Sequence, residues 1–205
     1  MLILRILFYI IGLLVTSLGV SLTIKADLGA GAWDALNVGL STTVGFTVGT
    51  WVIIVGIILI IVNALLMKVR PEYLAVIPIF LMGPFIDFWL LIAFPNWEPE
   101  GFIYQLIILL LGLLGLSMGI SIYLQAKFPL IPIDNFMVAI KSRLPINLGM
   151  AKTIGEITAL LFAFLFKGPI GLGTIIVTFL IGPLIQVFFP RFENLLKRLS
   201  EKTSG

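Results

Sequence analysis

The sequence predicts an all-α integral membrane protein of six transmembrane helices, arranged as two inverted three-helix repeats that each hold a candidate re-entrant half-helix. Three observations predict it. Apolar residues make up 60% of the chain, charged residues 11%, and mean hydropathy is +1.19. Soluble domains run at about 45–50% apolar and about 25% charged, so 205 residues of this composition carry more apolar surface than one water-exposed globule can hide. Six apolar runs approach the roughly 20 residues that a spanning helix needs. The third observation is an internal echo: "GLLVTSLGVSLTIKADLGAGAWD" from Gly12 and "GLLGLSMGISIYLQAKFPLIPID" from Gly112 align without a gap.

The runs cover about 2–24, 47–67, 74–95, 103–125, 149–166 and 169–190. The first resembles a signal peptide, with Arg5, an apolar stretch and small residues near Ala26. It is too long for one and belongs to the repeat, so it is read as a helix. The fifth is the weakest, because it contains Lys152 and Glu156. With the N-terminus in the cytoplasm, eleven Lys and Arg residues fall inside and only Lys25 and Lys167 outside. That asymmetry is the positive-inside pattern, and it predicts a multi-pass protein of the bacterial inner membrane with both termini cytoplasmic. The acidic loop "PNWEPEG" falls outside. In the tail, Phe192, Leu195, Leu196 and Leu199 recur at helical spacing among bases. This predicts either a short helix lying on the inner surface or an ordered end without a role.

The echo organises the chain. Gly12, Leu13, Leu14, Ser17, Gly19, Ser21, Ala26 and Asp34 recur one hundred positions on. "FLMGPFIDFWL" from Phe80 matches "FLIGPLIQVFF" from Phe179 with a shift of one, which sets Asp87 against Gln186. The expected units are a first repeat over 1–100, a second over 101–190 and a basic cytoplasmic tail over 191–205. Three spans per repeat is an odd number, so the second copy is upside down relative to the first. Transporters built this way bind their substrate near mid-membrane at the repeat interface.

Between the first and second span of each repeat lie "KADLGAGAWDALNVGLSTTVGF" and "KFPLIPIDNFMVAIKSRLPINL". Each has a Gly- or Pro-broken start, a helix-like piece and a second breaker. Pro132 suits a first helical turn, which leaves Asp134 near the positive end. Two readings stand. In one, these are re-entrant half-helices whose aspartates approach a shared polar cavity, since irregular backbone at membrane depth must be covered by protein or line a cavity. In the other, they are amphipathic surface helices with Asp34 and Asp134 as ordinary caps near opposite faces.

Ionisable groups inside spans are costly and usually face a bundle interior. The candidate substrate-binding residues are therefore Asp34, Asp134, Glu156, Asp87 and Lys152, together with Trp33, Asn37 and Asn135 beside the two aspartates. Lys152 and Glu156 share a helix face, so a structural ion pair is the competing reading for them. A buried structural hydrogen bond competes for Asp87. Gly12, Gly19, Gly112, Gly115 and Gly119 permit close helix approach. Cysteine and histidine are absent, which excludes disulfides, thiol nucleophiles, Cys/His metal sites and histidine proton relays. No cofactor or metal is expected.

The string "KADLGAGAWDALNVGLSTTVGFTVGT", with "GPFID" and then "AKTIGEI" and "GPIGLGTIIVTFLIGPLIQ", resembles the YczE/YitT-type family of small bacterial membrane proteins over nearly the whole chain. The matching positions include Leu28, Gly29, Trp33, Asp34, Gly45, Gly49, Thr50, Lys152, Thr153, Glu156, Gly171, Gly173, Thr174, Gly182 and Pro183. Gly31-Ala32 stands where the family usually has Gly-Pro. The resemblance implies a multi-pass membrane protein of transport type and names no substrate.

The leading expectation is thus a transporter or permease for a small molecule or ion, not an enzyme, in contact with membrane lipid and with no nucleic-acid partner. Homo-oligomerisation is left open. The alternatives are a substrate-binding membrane subunit of a larger importer and a non-transporting scaffold. No Walker loop is present, so an importer's ATPase would be another chain.

Overall fold

A computed structural model describes residues 2–204, and among them every regular element is helical. The elements in order are α1 (Leu2–Lys25), α2 (Ala32–Val44), α3 (Val48–Met67), α4 (Val76–Asp87), α5 (Phe102–Leu124), α6 (Pro132–Lys141), α7 (Leu148–Leu165) and α8 (Leu172–Ser204). A 3-10 turn at Tyr73–Ala75 leads into α4, and a π-helical segment at Phe88–Ala93 continues it. Five of the described helices are long and apolar enough to cross a membrane: Leu2–Lys25, Val48–Met67, Tyr73–Ala93, Phe102–Leu124 and Leu172–Glu201. The 18-residue α7, the run that the sequence marks as weakest, is not among them.

One expectation is corrected. The tail is not a separate short helix, because α8 runs unbroken through Pro183 and Pro190 to Ser204. An interior proline removes one backbone bond, and neighbouring groups in a helical membrane protein can satisfy what it frees. Separately, Gln125 Nε2 ties α8 to the end of α5 by donating to the Phe189 carbonyl at 3.3 Å. One turn on, an i,i+4 ion pair joins Lys197 Nζ to Glu193 Oε1 at 2.8 Å, which favours continued helix.

The spine of the fold is the antiparallel pair α1 and α5, pressed together at glycines. A Cβ on Gly12 would lie 2.4 Å from Tyr123 N, and one on Gly19 would lie 2.3 Å from Leu116 N. A Cβ on Gly112 would lie 2.8 Å from Thr23 N, and one on Gly119 would lie 2.4 Å from Thr16 N. Any side chain at these positions would push the backbones apart. The pairings are their own image under a shift of one hundred: 12 against 123 becomes 112 against 23, and 19 against 116 becomes 119 against 16. Such self-complementarity is the signature of a two-fold contact.

Local details follow the same shift. Ser21 Oγ donates to the Ser17 carbonyl at 2.9 Å, and Ser121 Oγ donates to the Ser117 carbonyl at 2.8 Å. Asp27 and Lys127 both take left-handed backbone, with φ of 55° and 56°. Thr47 caps α3 by accepting from Thr50 N, and Asn147 caps α7 by accepting from Met150 N. The short helices cross over, with α2 packed on α3 and α7 and α6 packed on α7 and α3. Each therefore rests on one long helix from either half.

The shift fails at one seam. Where α3 meets α4, a Cβ on Gly49 would lie 2.1 Å from the Gly83 carbonyl oxygen. The Asp87 carboxylate accepts from Thr47 Oγ1 at 2.6 Å and from Gly49 N at 2.8 Å. The corresponding seam between α7 and α8 is open: Gly182 has nothing within 4 Å of its Cβ position, and Gly149 has only its own cap, Asn147, at 3.3 Å. At the closed end the chain is also sealed backbone to backbone. Ala30 N donates to the Pro169 carbonyl at 3.0 Å, and Gly173 N donates to the Leu28 carbonyl at 2.6 Å. At the opposite end the short helix α6 is tied by side chains, with Asn135 donating to Glu72 and Arg143 to the Leu66 carbonyl.

Candidate functional site

The short helices carry the site because their starts are irregular. Gly29, at φ 97°, turns the chain into α2, and a Cβ there would lie 2.5 Å from Gly171 N. Pro132 opens α6, and its carbonyl accepts from Asn63 Nδ2 at 2.9 Å, which pins that start to α3. The two helices meet where the Trp33 ring stands edge-on to Phe136 at 5.7 Å between centroids. Ala32, Ala35, Leu36, Asn37 and Leu40 of α2 are buried, as are Phe136, Ala139 and Ile140 of α6. Both aspartates stand in the first turn of their helix, where their charge suits the N-terminal end.

A cavity of about 170 Å³ lies between these helices and the long ones. Six of the eight sequence candidates line it: Asp34, Asp134, Glu156, Lys152, Trp33 and Asn37. Both aspartates thus face one chamber, as the half-helix reading expects. Most of the remaining wall is aliphatic, including Val20, Ile79, Leu116 and Val177. A second chamber of about 230 Å³ shares Trp33, Asp134, Lys152 and Glu156 and extends past Leu124 and Leu130 toward the end with the open seam.

The two aspartates are not held alike. Tyr123, almost wholly buried, donates its hydroxyl to Asp134. The residue one hundred positions earlier is Thr23, whose hydroxyl donates to the Val20 carbonyl. Asp34 therefore lacks the equivalent partner and presents its carboxylate to the cavity. Lys152 and Glu156 do not form an ion pair, since the described ion pair within 4 Å is that of Lys197 and Glu193. Both side chains reach the chamber separately.

Two candidates lie elsewhere. Asp87 is the lock of the α3–α4 seam, held by Thr47 and Gly49. Asn135 points away from the chamber and donates to Glu72 Oε2 at 3.0 Å. Two contributors were missed. Thr178 lines the cavity with a buried, unpartnered Oγ1, as the sequence candidate Asn37 does with its unpartnered Oδ1. A threonine inside the apolar run "TIIVTFLIG" was the available signal. Tyr123, which orients Asp134, carried no signal, because its partner is on another helix.

Apolar spans around a buried, ligand-sized polar chamber define a multi-pass helical membrane protein. Its family is DUF6198, a family of unknown function whose model matches residues 3–190, and the chain belongs to it. It is 39% identical over 188 residues to the uncharacterized protein YyaS of Bacillus subtilis (strain 168), covering 92% of this chain and 94% of that one. It is 33% identical over 198 residues to the uncharacterized membrane protein YczE of the same organism, covering 95% and 90%. An uncharacterized protein of Haemophilus influenzae is 26% identical over 185 residues, covering 90% and 81%. The resemblance to the YczE type read from the motifs is thereby borne out. No solved structure matches the chain.

Proposed function

We propose that the protein is a secondary transporter for a small solute, built as six spans in two inverted three-helix repeats with cytoplasmic termini. Helices α2 and α6 act as re-entrant half-helices, and the solute site is the cavity at their meeting point near mid-membrane. One observation carries the reading: two seams of matching sequence stand in opposite states around one polar chamber. Gly49 and Gly83 are in contact, while Gly149 and Gly182 are apart. In an inverted repeat the two seams lie at opposite faces of the membrane, so exchanging their states moves the opening from one side to the other. By the charge asymmetry, the open seam faces the cytoplasm.

The exchange has a definite chemistry. In the alternate state Gln186 takes the place that Asp87 holds here, with Asn147 and Gly149 as its partners, and Asp87 releases Thr47 and Gly49. The test needs no known substrate, because the chain has no native cysteine. Thr178→Cys places one thiol in the cavity. A membrane-impermeant thiol reagent applied to inside-out vesicles is expected to label it. Labelling from the periplasmic side is expected to be slow and to rise at least tenfold when the lock is removed by Asp87→Ala. A cavity thiol that no variant exposes to the periplasm, or that neither side reaches, would rule out alternating access and leave a scaffold.

A further inference from the structure

Resting on the transport reading, we infer that the cavity binds a small organic monocation with an apolar body and exchanges it for a proton. Three carboxyl groups and one ammonium share the chamber: Asp34 from α2, Asp134 from α6, and Lys152 and Glu156 from α7. The Tyr123 hydroxyl from α5 reaches Asp134. The residues that α1, α3, α4 and α8 place in the wall are uncharged. Fully ionised, this set has two negative charges in excess. Excess negative charge crowded into a largely aliphatic, partly enclosed chamber is costly, and such groups draw in protons or a counter-charge. The chamber is therefore a sink for positive charge.

Geometry decides between the cations. Among the described residues no three acidic side chains converge closely enough to hold a metal ion, and a hard inorganic cation demands a closed shell of oxygens. The carboxyls are instead spread around a wall that is otherwise aliphatic, which suits an ammonium carried on a hydrocarbon group. Trp33 adds an aromatic ring to the same wall, and aromatic faces attract cations. The size fits as well: a cavity of about 170 Å³ slightly exceeds the roughly 150 Å³ that accommodates benzene. The unpartnered Asn37 Oδ1 is a further acceptor that an ammonium N–H would satisfy.

An anion fits poorly. Helix N-termini attract anions, but at both short helices the third residue is an aspartate that already occupies that field. Asp34 is the carboxyl to exchange the proton, because Asp134 is engaged by Tyr123. The step balances when a second proton stays on Glu156 throughout, leaving Lys152 to offset Asp134. A protonated Asp34 then gives up one proton as one monocation enters, and the chamber is neutral before and after.

The test is binding to the purified full chain in detergent, measured calorimetrically in buffers of different ionisation enthalpy so that protons are counted. Benzylammonium is expected to bind saturably with release of about one proton, and benzyl alcohol, benzoate, Na⁺ and Mg²⁺ are expected not to bind. Asp34→Asn is expected to weaken benzylammonium at least tenfold and to abolish proton release, while Asp34→Glu keeps both. Asn135→Ala, outside the chamber, leaves binding unchanged. Benzoate binding tighter than benzylammonium, or cation binding without proton release, would overturn the inference. So would failure of benzylammonium, butylammonium and tetramethylammonium alike with a monodisperse, folded protein. Liposomes separate this from the transport reading. Benzylammonium that binds and releases a proton but never crosses removes transport and keeps the cation site. Anion flux without cation binding does the reverse.

Discussion

The same substitution at four related glycines is expected to have opposite consequences. At Gly49 a new methyl group would sit 2.1 Å from the Gly83 oxygen, against the 3.4–4 Å of ordinary contact, and its next neighbours are atoms of the Asp87 carboxylate. At Gly83 it would sit 2.6 Å from the Gly49 oxygen. Neither backbone can yield without parting α3 from α4 and stretching the lock at Asp87. Overpacking of this kind costs about 1–3 kcal/mol. At Gly182 there is nothing within 4 Å, so Gly182→Ala adds only helix propensity, a gain of roughly 0.5–1 kcal/mol.

The propensity gain is common to both helix-interior sites, so the expected gap between Gly83→Ala and Gly182→Ala is the overpacking cost of about 1–3 kcal/mol, a shift of roughly five- to 150-fold in a two-state equilibrium. Denaturation in a rising mole fraction of dodecyl sulfate, followed by circular dichroism, reads the stability difference. Thiol labelling of the Thr178→Cys background reads the state. Gly49→Ala and Gly83→Ala should raise periplasmic labelling. Gly149→Leu and Gly182→Leu should hold the cytoplasmic opening and suppress it. If Gly182→Ala is as damaging as Gly83→Ala, the second seam is not open and the argument from unequal seams is refuted.

Two further outcomes follow. Tyr123→Phe removes the hydroxyl that Asp134 accepts, so it should destabilise the fold by about 1.5–3 kcal/mol, the usual worth of a hydrogen bond to a charged group; an unchanged denaturation midpoint would mean that Asp134 has another partner. Reporter fusions after residues 70, 98, 143 and 205 should place the second in the periplasm and the others in the cytoplasm, and a periplasmic C-terminus would overturn the six-span inverted topology.

Much of this architecture is legible in sequence, for a simple reason. Spanning helices are specified by long apolar runs, and four of the five apolar spans begin and end within a few residues of the runs that predict them, while the last begins near its run and continues into the tail. The glycines at 12, 19, 112 and 119 announce a close helix crossing, and the crossing is there. Contacts made across the bundle are another matter. Asp87 reads as an intramembrane acid awaiting a ligand, yet its partners Thr47 and Gly49 lie some forty residues away at the start of another helix. Asn135 sits beside Asp134 in sequence, but adjacent helical positions point about 100° apart, and the asparagine turns out to Glu72. The continuation of α8 past Pro190 was hidden because proline is read locally as a helix breaker, whereas the helix runs on to Ser204.

The unequal seams are the feature that sequence could not give in principle. Gly83 and Gly182 are the same residue in the same motif, and Gly49 and Gly149 each stand two residues after their helix's cap, so any rule that maps residue to contact assigns each pair the same environment. They do not have it. Part of the difference is chemical, because Asp87 meets a backbone N–H and a threonine hydroxyl with a carboxyl group, whereas on the alternating-access proposal Gln186 would meet Asn147 and Gly149 with an amide. Hydrogen bonds to charged groups contribute roughly 1.5–3 kcal/mol and neutral ones about 1. On that proposal the difference between closing one seam and closing the other is on the order of a few kcal/mol. A bias of that size sets a resting state without forbidding the other, and a cation that neutralised the chamber would need to supply no more than that difference to exchange them.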